Sequence, residues 1–72
     1  MGVILSTYHV REIDNDRVVV GEQQVSAENY DNVLRQMDDV ADSATRIEVS
    51  DSDGNKVGEA LVDFWRQKQR RR

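Results

Sequence analysis

The stretch that decides the fold is residues 26–42, which read SAENYDNVLRQMDDVAD. Ser26 stands at its start and is predicted to be a helix N-cap, accepting a hydrogen bond from a backbone N–H of the first turn. The apolar residues follow at intervals of three, one, three, three and one, the spacing of one helical face: Tyr30, Val33, Leu34, Met37, Val40 and Ala41. Such a helix must bury its stripe against another element.

The segment before this helix predicts a β-hairpin. Residues 3–13 and 17–25 are rich in β-branched and aromatic residues, as strands are. The turn 14–16, Asp-Asn-Asp, separates them and has strong turn chemistry. Gly21 is predicted to mark a bulge, or a place where the helix packs closely on the sheet.

The segment after the helix predicts a second hairpin. Residues 45–50 alternate apolar and polar side chains, and Asp53-Gly54 is a strong hairpin signal because glycine takes positive φ without steric cost. Residues 56–64 also alternate and are predicted to be the fourth strand, although residues 59–69 fit a helix as well. A two-residue loop would place these residues opposite each other: Val49 with Gly58, and Ile47 with Ala60.

These elements predict an α+β fold, a small antiparallel sheet with one packed helix in the order ββαββ. The alternative is ββαβ followed by a C-terminal helix. With 72 residues the chain makes one domain, predicted over 1–65, and a basic C-terminal tail over 66–72. A core this small gives marginal stability, so a homodimer is a possible source of extra burial.

The distribution of charge is the most distinctive property of the chain. The net charge of −4 divides into two parts: residues 1–65 hold all fourteen acidic residues and five basic ones, or −9, whereas residues 66–72 carry +5. Neither a signal peptide nor a membrane-spanning run is predicted, so the expected location is cytoplasmic, with no membrane partner.

The sequence has few residues of the kinds that form catalytic sites, and no enzyme and no cofactor are predicted. His9 is the single histidine and lies within a predicted strand, and there is no cysteine and no glycine-rich phosphate loop. The oxygen-rich turn 51–55 resembles a calcium loop, but Val49 and Ala60 occupy the positions of its two anchoring carboxylates. We therefore predict a solvated turn and no metal.

The acidic residues of the predicted helix are the first candidate for a binding surface. Carboxylates spaced along a helix can occupy the place of phosphates in a basic groove, and their field speeds association. In size, charge and architecture the chain resembles small phage-encoded inhibitors of nucleases and CRISPR complexes. The resemblance implies a non-enzymatic protein–protein interaction module, anti-CRISPR or anti-restriction-like, that mimics nucleic acid and binds a basic protein. The predicted partner-binding residues are Glu28, Asp31, Asp38, Asp39 and Asp42.

Two alternatives use other surfaces. In the first, the chain is a small nucleic-acid-binding accessory protein, whose basic tail would bind phosphates and whose Phe64 and Trp65 would stack on bases or lie in the core. In the second, it is a structural oligomerising subunit in which the sheets of two copies pair. The nucleic-acid-binding residues of the first alternative are Arg66, Lys68, Arg70, Arg71 and Arg72.

Overall fold

A computed structural model of the chain describes residues 4–70, with side chains through Gln67. It shows an α+β fold with a four-stranded antiparallel sheet and two helices, in the order ββαββα. Both predicted hairpins are present, and a second helix follows the fourth strand. The elements are β1 Ser6–Ile13, β2 Val19–Ala27, α1 Tyr30–Gln36, β3 Arg46–Ser50, β4 Lys56–Leu61 and α2 Val62–Arg70.

The strand order across the sheet is β2-β1-β3-β4, so β1 and β3 are central and β2 and β4 form the edges. The second hairpin has the predicted pairing: Val49 lies opposite Gly58 and Ile47 opposite Ala60. Its connection is longer than predicted, however, because a register shift after Val49 places Ser50 opposite Lys56. Gly54 has φ of +90°, as a glycine in this turn allows.

The hydrophobic core lies on one face of the sheet, beneath both helices. Alternate strand residues reach it because successive side chains point to opposite faces. Val10, Ile47 and Val49 are fully buried at its centre, and Val33 and Val62 cover them from the two helices. The other face of the sheet carries mostly polar side chains.

The predicted helix over 26–42 is wrong in length. Ser26 is exposed in β2 and caps nothing, whereas Asn29 is the N-cap and its side chain accepts a hydrogen bond from the Asn32 N–H at 3.0 Å. The helix ends at Gln36, after only seven residues. Residues 37–45 have no regular secondary structure, yet the predicted core residues Met37 and Val40 are buried there.

Helix α1 ends at Gln36 because side chains from β2 and α2 bind the donor and the acceptor of what would be its next hydrogen bond. In a longer helix the N–H of Asp38 would donate to the C=O of Leu34. In this chain the Asp38 N–H donates to Gln23 Oε1 at 2.8 Å, and Trp65 Nε1 donates to the Leu34 C=O at 2.6 Å. Since both side chains come from elements distant in sequence, the pattern of residues 26–42 alone could not predict this end.

The end of the fourth strand is also different from the prediction. Residues 56–64 do not form one strand, because β4 ends at Leu61 and α2 begins at Val62. The Val62 N–H still donates to the Thr45 C=O at 3.0 Å, which closes the ladder with β3. Helical spacing then buries Val62 and Trp65 and leaves Phe64 exposed, whereas a continued strand would have buried Phe64.

Candidate protein-binding surface

The most acidic irregular segment is residues 37–45, which we call the acidic loop. Met37, Val40 and Ala44 point into the core, whereas the carboxylates of the loop lie on the surface. The loop therefore covers part of the core with its own apolar side chains, as the predicted helix would have done. Its exposed acidic residues are Asp38, Asp39 and Asp42.

Two side chains from the sheet hold the backbone of the acidic loop. Glu12 of β1 is buried, and its Oε1 accepts a hydrogen bond from the Ala41 N–H at 2.8 Å. Gln23 of β2 binds Asp38 twice, accepting from its N–H at 2.8 Å and donating to its C=O at 3.2 Å. Gln23 Nε2 also donates a hydrogen bond to Glu12 Oε2 at 3.2 Å, so Glu12 and Gln23 form one connected clamp.

Gly21 makes room for the buried carboxylate of this clamp. It lies opposite Glu12 in the β1–β2 ladder, next to the register shift that forms a bulge. A Cβ at Gly21 would lie 2.5 Å from Glu12 Oε1, closer than any real side chain allows. The bulge predicted at Gly21 is therefore present, but the close approach there is made by Glu12 and not by the helix.

The predicted partner-binding residues do not share one helical face. Only Asp31 lies in α1, while Glu28 precedes the helix and accepts a hydrogen bond from Asn32 Nδ2 at 3.2 Å. The other three belong to the acidic loop. Among the described side chains, only one of those three forms an ion pair: Asp39 Oδ1 lies 3.5 Å from Arg66 Nη2.

The basic residues predicted to bind nucleic acid begin inside α2. Arg66 is half-buried, and its Nη2 also donates to the Val40 C=O at 3.4 Å, so it packs against the acidic loop. Trp65 is buried and belongs to the core, which leaves Phe64 as the exposed aromatic. Helix α2 continues through Lys68 to Arg70, across the predicted domain boundary at residue 66. The side chains of Lys68 and Arg70, and all of Arg71 and Arg72, lie outside what the structure describes.

A groove of about 620 Å³ lies between the two helices and the edge strand β4. Tyr30 closes one side, since its ring lies over Gly58 and its hydroxyl donates to the Glu59 C=O at 2.9 Å. Burial, followed by the charges of Asp31 and Glu59, raises the pKa of this hydroxyl above its ordinary value. The full lining is Tyr30, Asp31, Leu34, Arg35, Glu59, Ala60, Phe64 and Trp65.

The face of the sheet opposite the core carries a cluster of ion pairs near β4. Lys56 bonds to Glu59 and lies 3.9 Å from a carboxylate oxygen of Glu48. The hydrogen bond between Lys56 and Glu59 raises the pKa of Lys56 and lowers the pKa of the Glu59 carboxyl. Both groups are exposed, so solvent screens this pair strongly.

Sequence reasoning missed the clamp of Glu12 and Gln23. The available signal was positional: alternation from Tyr8 and Val10 places Glu12 on the apolar face of β1. A carboxylate at such a position needs hydrogen-bond partners, because burial of an unpaired charge is costly. Those partners come from residues 11 and 29 positions away in sequence, so no local pattern names them.

No family model, no curated protein and no solved structure matches this chain. Within residues 4–70, no helix is long and apolar enough to cross a membrane. No group of three acidic, histidine or cysteine side chains in the described part of the chain has the arrangement of a metal site.

Proposed function

We propose that this chain is a small non-enzymatic protein–protein interaction module that binds a basic partner through the acidic loop. The observation that supports it best is the clamp of Glu12 and Gln23. It fixes the backbone that carries Asp38, Asp39 and Asp42 while these side chains stay exposed. A surface that is ordered before binding loses less conformational entropy when the partner docks.

The sharpest form of this proposal is an inhibitor of a nucleic-acid-binding protein. Residues 1–65 carry a net charge of −9, and such a field attracts the basic groove in which a nucleic acid would lie. The carboxylates of the acidic loop then take the place of phosphates. Because Asp39 pairs with Arg66, the carboxylates of the acidic loop that form no ion pair among the described side chains are Asp38 and Asp42.

The test is fluorescence anisotropy with a labelled arginine-rich peptide as the basic probe, at low and moderate salt. We expect Asp38→Asn/Asp42→Asn to weaken binding by about tenfold, which corresponds to roughly 1.4 kcal/mol. The matched control is Glu22→Gln/Asp53→Asn, which removes the same charge from exposed positions outside the acidic loop. An equal loss of binding affinity in both variants would mean that the peptide responds only to the net charge of the chain, and this result would overturn the proposal.

The nucleic-acid alternative is tested in the same assay with labelled DNA and RNA. Truncation at residue 65 is unsuitable, because it would cut α2 directly after the buried Trp65. Neutralising Lys68, Arg70, Arg71 and Arg72 with glutamine preserves the length of the helix. Salt-sensitive binding of DNA or RNA by the unmodified chain, lost in this variant, would favour the basic C-terminal residues as the functional surface.

A further inference from the structure

We propose that a second copy of this chain docks on the groove between α1, β4 and α2, forming a two-fold symmetric dimer. This inference does not depend on the proposed function, because it uses a different surface. Two observations support it: the apolar side chains that line part of the groove, including the exposed Phe64, and a charge pattern on α1 that complements itself.

The groove has the shape and chemistry to receive an apolar side chain. Its apolar walls include Leu34, Ala60 and the buried Trp65. Phe64 also lines it, with 60% of its surface exposed, and the charged part of the lining is Asp31, Arg35 and Glu59. Its volume of about 620 Å³ lies in the range of pockets that bind apolar groups. In a two-fold dimer, the Phe64 ring of each copy would enter the groove of the other, so one contact forms twice.

The charges of α1 favour the same arrangement. Asp31 and Arg35 are four residues apart and lie roughly 160° around the helix from the buried Val33, so both point away from the core of their own chain. Neither forms an ion pair within 4.0 Å among the described side chains. When two such helices meet antiparallel, Asp31 of each copy lies opposite Arg35 of the other. A two-fold interface requires this self-complementarity.

The other uncovered surfaces fit a second copy less well. In the edge strand β4, the Glu59 C=O already accepts a hydrogen bond from the Tyr30 hydroxyl, which hinders the addition of another strand. The sheet face opposite the core would have to bury many charged groups against each other, at a large desolvation cost. Those groups are Arg11, Glu22, Arg46, Glu48, Lys56 and Glu59.

The experiment is sedimentation equilibrium of the 72-residue chain from about 1 to 100 µM. We expect a mass of twice 8.3 kDa at the upper concentrations. Phe64→Ser should raise the dissociation constant at least tenfold. Leu61→Ser is the matched control, since Leu61 is also 60% exposed but precedes α2 on the polar face of the sheet. A monomer throughout this range, or a larger effect of Leu61→Ser, would overturn the proposal.

Charge reversal tests the geometry of the interface independently of packing. Asp31→Arg alone and Arg35→Asp alone should each weaken the dimer, because each places like charges opposite one another. An equimolar mixture of these two variants should form heterodimers, and the double variant D31R/R35D should dimerise like the unmodified chain. Circular dichroism of each variant verifies that it is folded. Folded variants that dimerise without regard to charge would contradict the antiparallel contact of α1.

Discussion

At the scale of single residues, Glu12 is the one polar or charged residue that is buried among those the structure describes. It joins β1 to β2 and to the acidic loop through hydrogen bonds with Gln23 and Ala41. Removing one partner from a buried hydrogen-bonded group leaves the other unsatisfied, which costs about 1–3 kcal/mol. The clamp can therefore be tested by exchanging its hydrogen-bond donors and acceptors at nearly constant volume.

Glu12→Gln is expected to lower the free energy of unfolding by about 1–3 kcal/mol, because two amide nitrogens would then face each other at residues 12 and 23. Adding Gln23→Glu restores a donor–acceptor pair between these side chains, so the double variant should recover part of the loss. Urea unfolding of the four chains gives the coupling energy. Glu22→Gln, at the neighbouring exposed position, is the control. Independent, additive effects of the two changes would refute the clamp.

At the scale of secondary-structure elements, α1 is short because the rest of the fold binds its C-terminal backbone. The apolar spacing of residues 26–42 correctly predicted that Val33, Met37 and Val40 are buried. The other three residues of the stripe are only partly buried: Tyr30, Leu34 and Ala41. It could not predict where the helix ends, since Gln23 and Trp65 supply the competing hydrogen bonds. The N-terminal end was predicted wrongly for a related reason: pairing of β2 with β1 extends through Ser26 to Ala27.

Alanine substitutions distinguish the two N-caps. Asn29→Ala should destabilise the protein by about 1 kcal/mol, since the N–H of Asn32 loses its acceptor. Ser26→Ala should change stability by less than about 0.5 kcal/mol, because the Ser26 side chain is exposed in a strand. Thermal unfolding followed by circular dichroism measures both. A larger loss from Ser26→Ala would mean that the helix begins at residue 26 in solution.

At the scale of the whole molecule, the described surface divides into regions with different balances of acidic and basic side chains. The sheet face opposite the core balances acidic with basic side chains, as Lys56, Glu48 and Glu59 do. The acidic loop has fewer basic neighbours among the described residues, with Arg66 paired to Asp39. Salt and pH should therefore affect stability through the first region and affect binding through the second.

The Lys56–Glu59 pair should stabilise the fold only within a limited pH range. The folded-state pKa of Glu59 is lowered, so its contribution is present above its unfolded value of 4.5 and is lost as pH falls through the folded value. The pKa of Lys56 is raised, so its contribution is present below 10.5 and is lost as pH rises through the folded value. Comparing urea midpoints of the unmodified chain and Lys56→Met/Glu59→Gln should show a difference at pH 7. A difference that stays undiminished at pH 3 or in 1 M salt would contradict this assignment.

The sequence by itself determined the α+β class, both hairpins, the pairing of Val49 with Gly58 and the burial of Val33, Met37 and Val40. These follow from local periodicity and turn chemistry, which act between near neighbours. The end of α1, the change from β4 to α2 at Val62 and the clamp of the acidic loop were decided only by the tertiary structure. In each case a hydrogen-bond partner lies far away in the sequence but close in the folded protein. These partners are Gln23 and Trp65 at the end of α1, Thr45 at Val62, and Gln23 and Ala41 at Glu12.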